Sequence, residues 1–319
     1  MDKLKIVRLF LENGIQLTPQ ALELVYQNQD KINNIISYVK EKGLWIINEK
    51  NLEEFLKEKS CEVLSNIEII YPEEVQEFSI EDLKKMLKER FDFLSKILIE
   101  NNRFSNIASL SKVKKLKKGE ETIVIGMVRD KTTYSITLED FTSHETIQMD
   151  AKLVEKLFYD DVIAVRVKRG EGKLIGDKIF FPSLSFFRKP ATLTEEVIIS
   201  IPEIKVGNRS IQLVEKEIVR VYLDGFKIFL LNSVIVKRYK QKDEKEIDTL
   251  ISLIERRHLN PSFFISKKLY KKDLFLIDEV PDIIIITNTN EPFYKPYKNI
   301  NIFFLPSGRK LLLKDKKIE

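Results

Sequence analysis

Few residues in this chain could carry acid–base, nucleophilic or metal chemistry. Its 319 residues include two histidines, His144 and His258, and one cysteine, Cys61. One cysteine makes no internal disulfide and no cysteine-cluster zinc site. A thiol nucleophile needs an imidazole partner, and the nearest histidine in sequence is the distant His144. Cys61 therefore reads as a small, buried or half-buried apolar residue. Carboxylates stand in pairs at Glu139-Asp140 and Asp160-Asp161. Each pair could share a proton, but both border alternating apolar runs, where loops are ordinarily polar. Two basic runs could meet phosphates: Lys112, Lys114, Lys115, Lys117 and Lys118, then Lys237, Arg238, Lys240 and Lys242. The whole chain balances 54 basic against 49 acidic residues, a net charge of +5. That excess permits contact with nucleic acid without requiring it.

The elements that must position these groups follow from periodicity. Hydrophobic residues make up 43% and charged residues 32%, enough for a buried core and a solvated surface. The length suits two or three domains. No run approaches the ~18 apolar residues of a membrane span. Met1 to Phe10 lacks the apolar centre and cleavage site of a signal peptide. The expectation is a cytoplasmic protein with no membrane contact.

Four regions are expected. Residues 1–60 form a helical docking module, with Asn13-Gly14 as a stop and Thr18-Pro19 as a cap and first helical position. Residues 61–119 hold a polar linker over 61–78, then a helix opened by Ser79 and Asp82. Its apolar face is Leu83, Leu87, Phe91, Leu94 and Leu98. From 120 the period becomes two. Three alternating runs, a short helix and two more runs fill 120–183, the order of an OB-fold barrel. Tyr134, Phe141, Phe158 and Tyr159 could stack on bases there, or simply cap the barrel. Residues 184–319 form a mixed α/β domain. Strands are expected at 197–201, 219–223, 227–231, 274–277, 283–286 and 300–304, with a helix at 243–257. The isoleucine run 283–286 suits a strand buried on both faces.

Several stretches in this order resemble the small subunit of archaeal family-D DNA polymerase, and more distantly the B-subunits of eukaryotic replicative polymerases. Leu17-Thr18-Pro19-Gln20-Ala21 is similar to the family's N-terminal motif. Stretches 91–98 and 107–113 resemble its linker helix and barrel approach. Gly126-Met127-Val128-Arg129-Asp130-Lys131, Leu138-Glu139-Asp140, Asp160-Asp161-Val162-Ile163-Ala164-Val165 and Ile179-Phe180-Phe181-Pro182 resemble its barrel. Glu255-Arg256-Arg257-His258-Leu259-Asn260-Pro261 and the stretch 273–283 resemble its last domain. The resemblance implies a multidomain α+β fold: helical module, OB-fold barrel and a shortened calcineurin-like phosphoesterase domain.

Active members of that superfamily hold two metal ions through Asp-x-His, Gly-Asp, Gly-Asn-His, a lone His and Gly-His-x-His. This chain departs from each. Pro202-Glu203-Ile204-Lys205-Val206-Gly207 stands where Ser-Asp-Ile-His-Val-Gly would, so Glu203 and Lys205 replace the ligands. A charged lysine offers no lone pair to a cation. Thr287-Asn288-Thr289-Asn290 stands where Gly-His-x-His would, leaving Asn288 and Asn290. The middle motifs are missing between 207 and 219. The one Gly-Asp pair, Gly176-Asp177, falls in the barrel, and Arg209 follows Gly207-Asn208. No metal, cofactor or catalytic residue is expected, and His258 is expected to be a hydrogen-bonded structural residue. The implied function is a non-catalytic subunit that scaffolds a large catalytic subunit and touches DNA through Lys112, Lys114, Lys115, Lys117, Lys118, Lys237 and Arg238. The N-terminal module would recruit a sliding clamp or primase. Two alternatives are a metal-dependent 3′–5′ exonuclease subunit and a stand-alone single-strand-binding protein.

Overall fold

The computed structural model describes residues 2–60, 67–185, 191–193, 196–266 and 268–319. Cys61 and the start of the expected linker lie outside them. The chain divides into two compact units, Met1–Ser65 and Asn66–Glu319.

The first unit holds α1 (Lys3–Glu12), β1 (Gln16–Leu17), α2 (Pro19–Gln27), α3 (Ile32–Glu41), β2 (Ile46–Ile47) and α4 (Glu49–Ser60). The caps follow the sequence signals. The Asp2 carboxylate accepts from Lys5 N at 2.8 Å, and Thr18 Oγ1 accepts from Ala21 N at 3.3 Å. Ile6, Phe10, Val25, Ile35, Ile47 and Phe55 centre one small core. The parallel pairing of β1 with β2 was not legible, because two-residue strands carry no periodicity.

The second unit opens with β3 (Ile67–Ile70), α5 (Ile80–Asn102) and α6 (Leu110–Val113). Here the expected linker over 61–78 is corrected. β3 pairs antiparallel with a strand more than 140 residues later and forms the edge of the C-terminal sheet. Its three isoleucines are half-buried, which a free linker would not tolerate. α5 starts on a reciprocal capping box, with Asp82 N donating to Ser79 Oγ at 3.1 Å and Ser79 N to Asp82 Oδ2 at 2.9 Å.

A five-stranded barrel follows: β4 (Glu121–Lys131), β5 (Ser135–Glu139), β6 (His144–Gln148), α7 (Ala151–Glu155), β7 (Val162–Arg169) and β8 (Leu174–Phe180). It closes in the order β4-β5-β6-β8-β7, with β6 and β8 parallel and the other pairs antiparallel. Val124, Val128, Ile136, Leu138, Ile147 and Val165 fill it. A Cβ on Gly176 would come within 2.9 Å of Ile147 Cγ2 and 3.0 Å of Val165 Cγ1. The one Gly-Asp pair of the chain is thus a packing feature. Asp177 faces outward and accepts from Arg166 Nε at 2.8 Å.

The remaining elements are β9 (Val197–Ser200), β10 (Glu203–Val206), β11 (Arg209–Gln212), β12 (Ile218–Leu223), β13 (Phe226–Asn232), α8 (Ser233–Tyr239), α9 (Glu246–Glu255), α10 (Phe263–Ser266), β14 (Ile283–Thr289), β15 (Phe293–Tyr297), β16 (Ile300–Pro306), β17 (Leu311–Leu312) and β18 (Lys317–Ile318). One sheet runs β15-β16-β14-β13-β12-β3; the other runs β11-β10-β9-β17-β18. β13, β14 and β16 are mutually parallel. Ile283 to Ile286 lie at the centre of the larger sheet and are at most 2% exposed, as the run predicts. Their neighbours Phe229, Leu231, Ile235, Leu250 and Ile302 continue the largest core. The strand expected at 274–277 is a turn instead. Among the described residues only an isolated bridge between His258 and Leu276 forms there, because the carbonyls of Leu274 and Leu276 accept from the buried Arg220.

Candidate functional site

The carboxyl ends of parallel strands are where open α/β sheets place their chemistry. In this sheet that edge gathers Asn232 from β13, Asn288 from β14, Ser307 after β16, and Glu215 from the segment before β12. Glu215 Oε1 accepts from the side-chain amides of Asn232, at 3.2 Å, and Asn288. Ser307 Oγ donates to Asn288 Oδ1 at 3.0 Å, and Ser233 Oγ donates to the Asn288 carbonyl at 2.8 Å. Asn288 has φ +56°, and the pairing of β14 with β16 shifts register between Thr287 and Thr289. Asparagine tolerates this left-handed backbone better than most residues. The cluster links one carboxylate oxygen to two side-chain amides, and one of those amides to a hydroxyl, in a single hydrogen-bonded set.

Glu203 opens β10 and accepts from Ser210 Oγ across the hairpin. Lys205 lies exposed in β10, opposite Ser210 on one side and Ile198 on the other. Gly207-Asn208 makes the turn into β11. Asn290 is exposed beyond β14. The polar cluster thus includes Asn288 but is completed by Glu215, Asn232 and Ser307, which sequence reading did not single out. Isolated polar residues after apolar strands give no signal until the parallel topology aligns their ends. Among the described residues, no group of three or more His, Cys, Asp or Glu is arranged to hold a metal ion.

The stretch 255–261 has a different role: it joins the barrel, α5 and the α/β sheet. Glu255 accepts from Ser183 Oγ, from Tyr297 OH and from Lys298 Nζ, the last at 2.6 Å. Arg256 Nε donates to Asp161 Oδ2 of the barrel at 3.0 Å, and its other nitrogens donate to the carbonyls of Ser252 and Lys156. Its guanidinium lies 4.6 Å from the ring centres of both Phe158 and Phe181. Arg257 Nε donates to Pro182 O at 2.9 Å. Burial pushes the Asp161 carboxyl up, against the pull of Arg256. Its Oδ1 has no hydrogen-bond partner among the described residues.

His258 is buried behind this joint. Asn260 N donates to its Nδ1 at 3.1 Å, so the ring proton sits on Nε2 and is donated to Asp273 Oδ2 at 2.8 Å. Arg90 of α5 donates to the same Asp273 oxygen at 2.8 Å and to Pro261 O at 2.6 Å. Burial, aided by the Arg90 charge, lowers the His258 pKa to about 4. Burial opposes ionisation of Asp273, but His258 and Arg90 outweigh it and hold that carboxyl far below the usual range. Arg220 continues the network, donating to Leu274 O at 2.7 Å and to Asp278 Oδ1 at 2.7 Å, with its guanidinium 4.5 Å from the Phe229 ring centre. Asp282 accepts from Lys227 N at 2.9 Å and Ala191 N at 3.0 Å. These buried charges of both C-terminal stretches are thus tied to packing partners.

The basic residues divide. Lys112, Lys115, Lys117 and Lys237 are exposed and, among the described residues, have no carboxylate partner. Lys114 pairs with Glu145 at 2.9 Å, Lys118 with Glu171, and the half-buried Arg238 with Glu217 at 2.8 Å. Among the aromatic candidates, Tyr134 is 67% exposed, whereas Phe158 packs edge-on against Tyr239 at 4.9 Å. Phe141 packs against Phe91 at 4.9 Å. His144 is exposed at the start of β6. Asp140 takes amide hydrogens from Leu110 at 2.8 Å, Thr142 at 2.7 Å and Ser143 at 2.9 Å. Burial opposes its ionisation, but these bonds prevail and keep its pKa below the usual value.

Fold and site together describe a multidomain α/β protein whose barrel and sheets are fastened by one charged joint. No family model matches the chain. Over its whole length it is similar to the DNA polymerase II small subunit of Thermoplasma acidophilum, at 21% identity and 69% of that protein. It is 27% identical to the DNA polymerase II small subunit of Pyrococcus furiosus, over 42% of this chain and 24% of that protein. For the Pyrococcus horikoshii subunit the identity is 26%, over 47% and 26%. The chain therefore matches about two thirds of the first relative and about a quarter of the others. Its curated homologues are thus small subunits of the archaeal family-D polymerase. Among solved structures, the Stn1–Ten1 complex of Schizosaccharomyces pombe is similar at 17% identity over 23% of this chain and 72% of that one, with a TM-score of 0.21. No helix among the described residues is long and apolar enough to cross a membrane.

Proposed function

We propose that the chain is a non-catalytic small subunit of a family-D DNA polymerase, which holds and positions the large catalytic subunit during replication. The barrel is an OB-fold, since its strand order, with α7 between the third and fourth strands, is the OB order. The two C-terminal sheets are a shortened phosphoesterase domain whose exonuclease chemistry has been lost. One observation carries this reading. At the carboxyl edge of β14, where metal-bound imidazole would sit, Asn288 is hydrogen-bonded to Glu215 and Ser307. An amide engaged in that way is a poor ligand for the metals that imidazole holds.

A scaffold must keep its parts in a fixed relation, and the joint at 255–261 supports that role. Lys112, Lys115, Lys117 and Lys237 would meet DNA phosphates. Lys114, Lys118 and Arg238 would add less, since carboxylates already hold them. The N-terminal unit would recruit a sliding clamp or primase.

Co-expression with the large subunit of the same organism tests the reading. The expected result is a complex that survives gel filtration in 0.5–1 M salt, on the order of conditions that screen surface charge. A chain that elutes alone and binds single-stranded oligonucleotides tightly would instead support the single-strand-binding alternative.

A further inference from the structure

Around the polar cluster of Glu215, Asn232, Asn288 and Ser307, apolar side chains stand in solvent. Val214, next to Glu215, is 57% exposed; Val234, two residues past Asn232, is 53% exposed; Phe293, at the start of β15, is 45% exposed. All three stand at one sheet edge: Val214 and Val234 lie within two residues of cluster members, and Phe293 pairs with Phe304 near the carboxyl end of β16. Val234 N donates to Asn232 Oδ1 at 3.0 Å, and Asn232 in turn donates to Glu215. Val214, Glu215, Pro202 and Thr287 line one shallow pocket. Phe293 stands edge-on to Phe304 at 5.9 Å, so its ring is propped at the rim rather than folded into the core. Exposed apolar groups surrounding a hydrogen-bonded polar centre are the composition of a protein interface.

Charge decides the class of partner. The segments that build this edge, 201–203, 213–216, 232–234, 288–293 and 307–310, carry Glu203, Glu215 and Glu291 against Lys216, Arg309 and Lys310. Their net charge is zero. A phosphodiester chain needs an excess of cations to displace its counterions, and none is present. The bulge and left-handed Asn288 hold the edge in one shape, fixed by side-chain hydrogen bonds, so little ordering is needed on association.

We propose that this edge has become a protein-docking surface, and that its occupant is a segment of the large catalytic subunit presenting apolar side chains with amide or hydroxyl groups. The proposal rests on the subunit reading given above and adds the surface through which it acts.

The test is hydrogen exchange on the wild-type chain, alone and with the large subunit, beside affinities of two variants. In one, Val214→Asp, Val234→Asp and Phe293→Asp are combined. In the control, the exposed Lys84→Glu, Lys96→Glu and Lys173→Glu are combined. The expected result is protection of 213–216, 232–234 and 288–293 on binding. The first variant should bind at least about tenfold more weakly and the control no more than about twofold. The wild-type exchange map stands even where the triple aspartate variant misfolds. A complex that forms with no protection at this edge and equal binding by both variants would overturn the docking surface and leave the subunit reading intact. Protection of the edge by a single-stranded oligonucleotide, but not by the large subunit, would also overturn it. Failure of the wild-type chain to bind the large subunit at all would overturn both.

Discussion

Arg256 shows how much of this molecule depends on single buried charges. Its guanidinium is held between two rings and four acceptor atoms, and it is the counter-charge for a fully buried carboxylate. Burying an ion pair is close to break-even, but removing one partner leaves the other charge uncompensated. Arg256→Ala should therefore cost about 3–5 kcal/mol in urea unfolding. Asp161→Asn leaves the Arg256 charge without its counter-charge and should also destabilise, but less, because the amide oxygen still accepts from Arg256. His258 gives a pH signature. Its ordinary value is 6.5 and its folded value about 4, so between those pH values the unfolded chain binds more protons. Its contribution is fully present above pH 6.5 and is lost as pH falls toward 4. That loss is on the order of 3 kcal/mol, each tenfold change in proton affinity being ~1.4 kcal/mol. Chemical denaturation across pH 7 to 4 should show a shallower fall in His258→Gln, which can still donate to Asp273.

At the scale of elements, β14 and α5 dominate. β14 is central in its sheet, with Ile284 and Ile286 in the largest core. Ile284→Ala should cost about 2–5 kcal/mol, partly from the cavity left behind, measured as a lower denaturation midpoint. Ser79→Ala at the start of α5 should cost about 1 kcal/mol by the same measurement. Both elements were legible in the sequence, because an apolar run and a capped stripe depend only on local spacing. The order of the five barrel strands was legible for the same reason, and closure follows from their pairing. β3 was not. Four residues between a polar stretch and Pro72 become a strand only because β12 lies in reach to complete them. The 274–277 segment failed in the opposite sense. Leu274, Phe275 and Ile277 are buried, but the carbonyls of Leu274 and Leu276 bind Arg220 instead of a neighbouring strand. The site was half legible. Glu203, Lys205, Asn288 and Asn290 were singled out from the sequence, and Asn288 lies in the polar cluster, but the partners around it could not be read, since Glu215, Asn232 and Ser307 lie far apart in sequence.

On the scale of the whole molecule, the proposed reading assigns the chain to holding a partner rather than to chemistry. On that reading, contact with DNA would be electrostatic. Replacing Lys112, Lys115 and Lys117 together by Gln in the complex should weaken duplex binding without changing sequence preference. It should also lower the slope of log affinity against log salt by about one for each phosphate that a lysine no longer neutralises. Replacing Lys114 and Lys118 should do less, since Glu145 and Glu171 already engage them.

On the proposed reading, a strand edge that once suited two cations no longer holds them and cleaves nothing. The most direct test is calorimetry with manganese, run beside incubation of the purified chain with end-labelled single strands. The prediction is no saturable ion binding at the edge and no shortening of the strand above a no-protein control. Two bound ions, together with shortening that disappears in Glu203→Ala or Asn288→Ala, would contradict it.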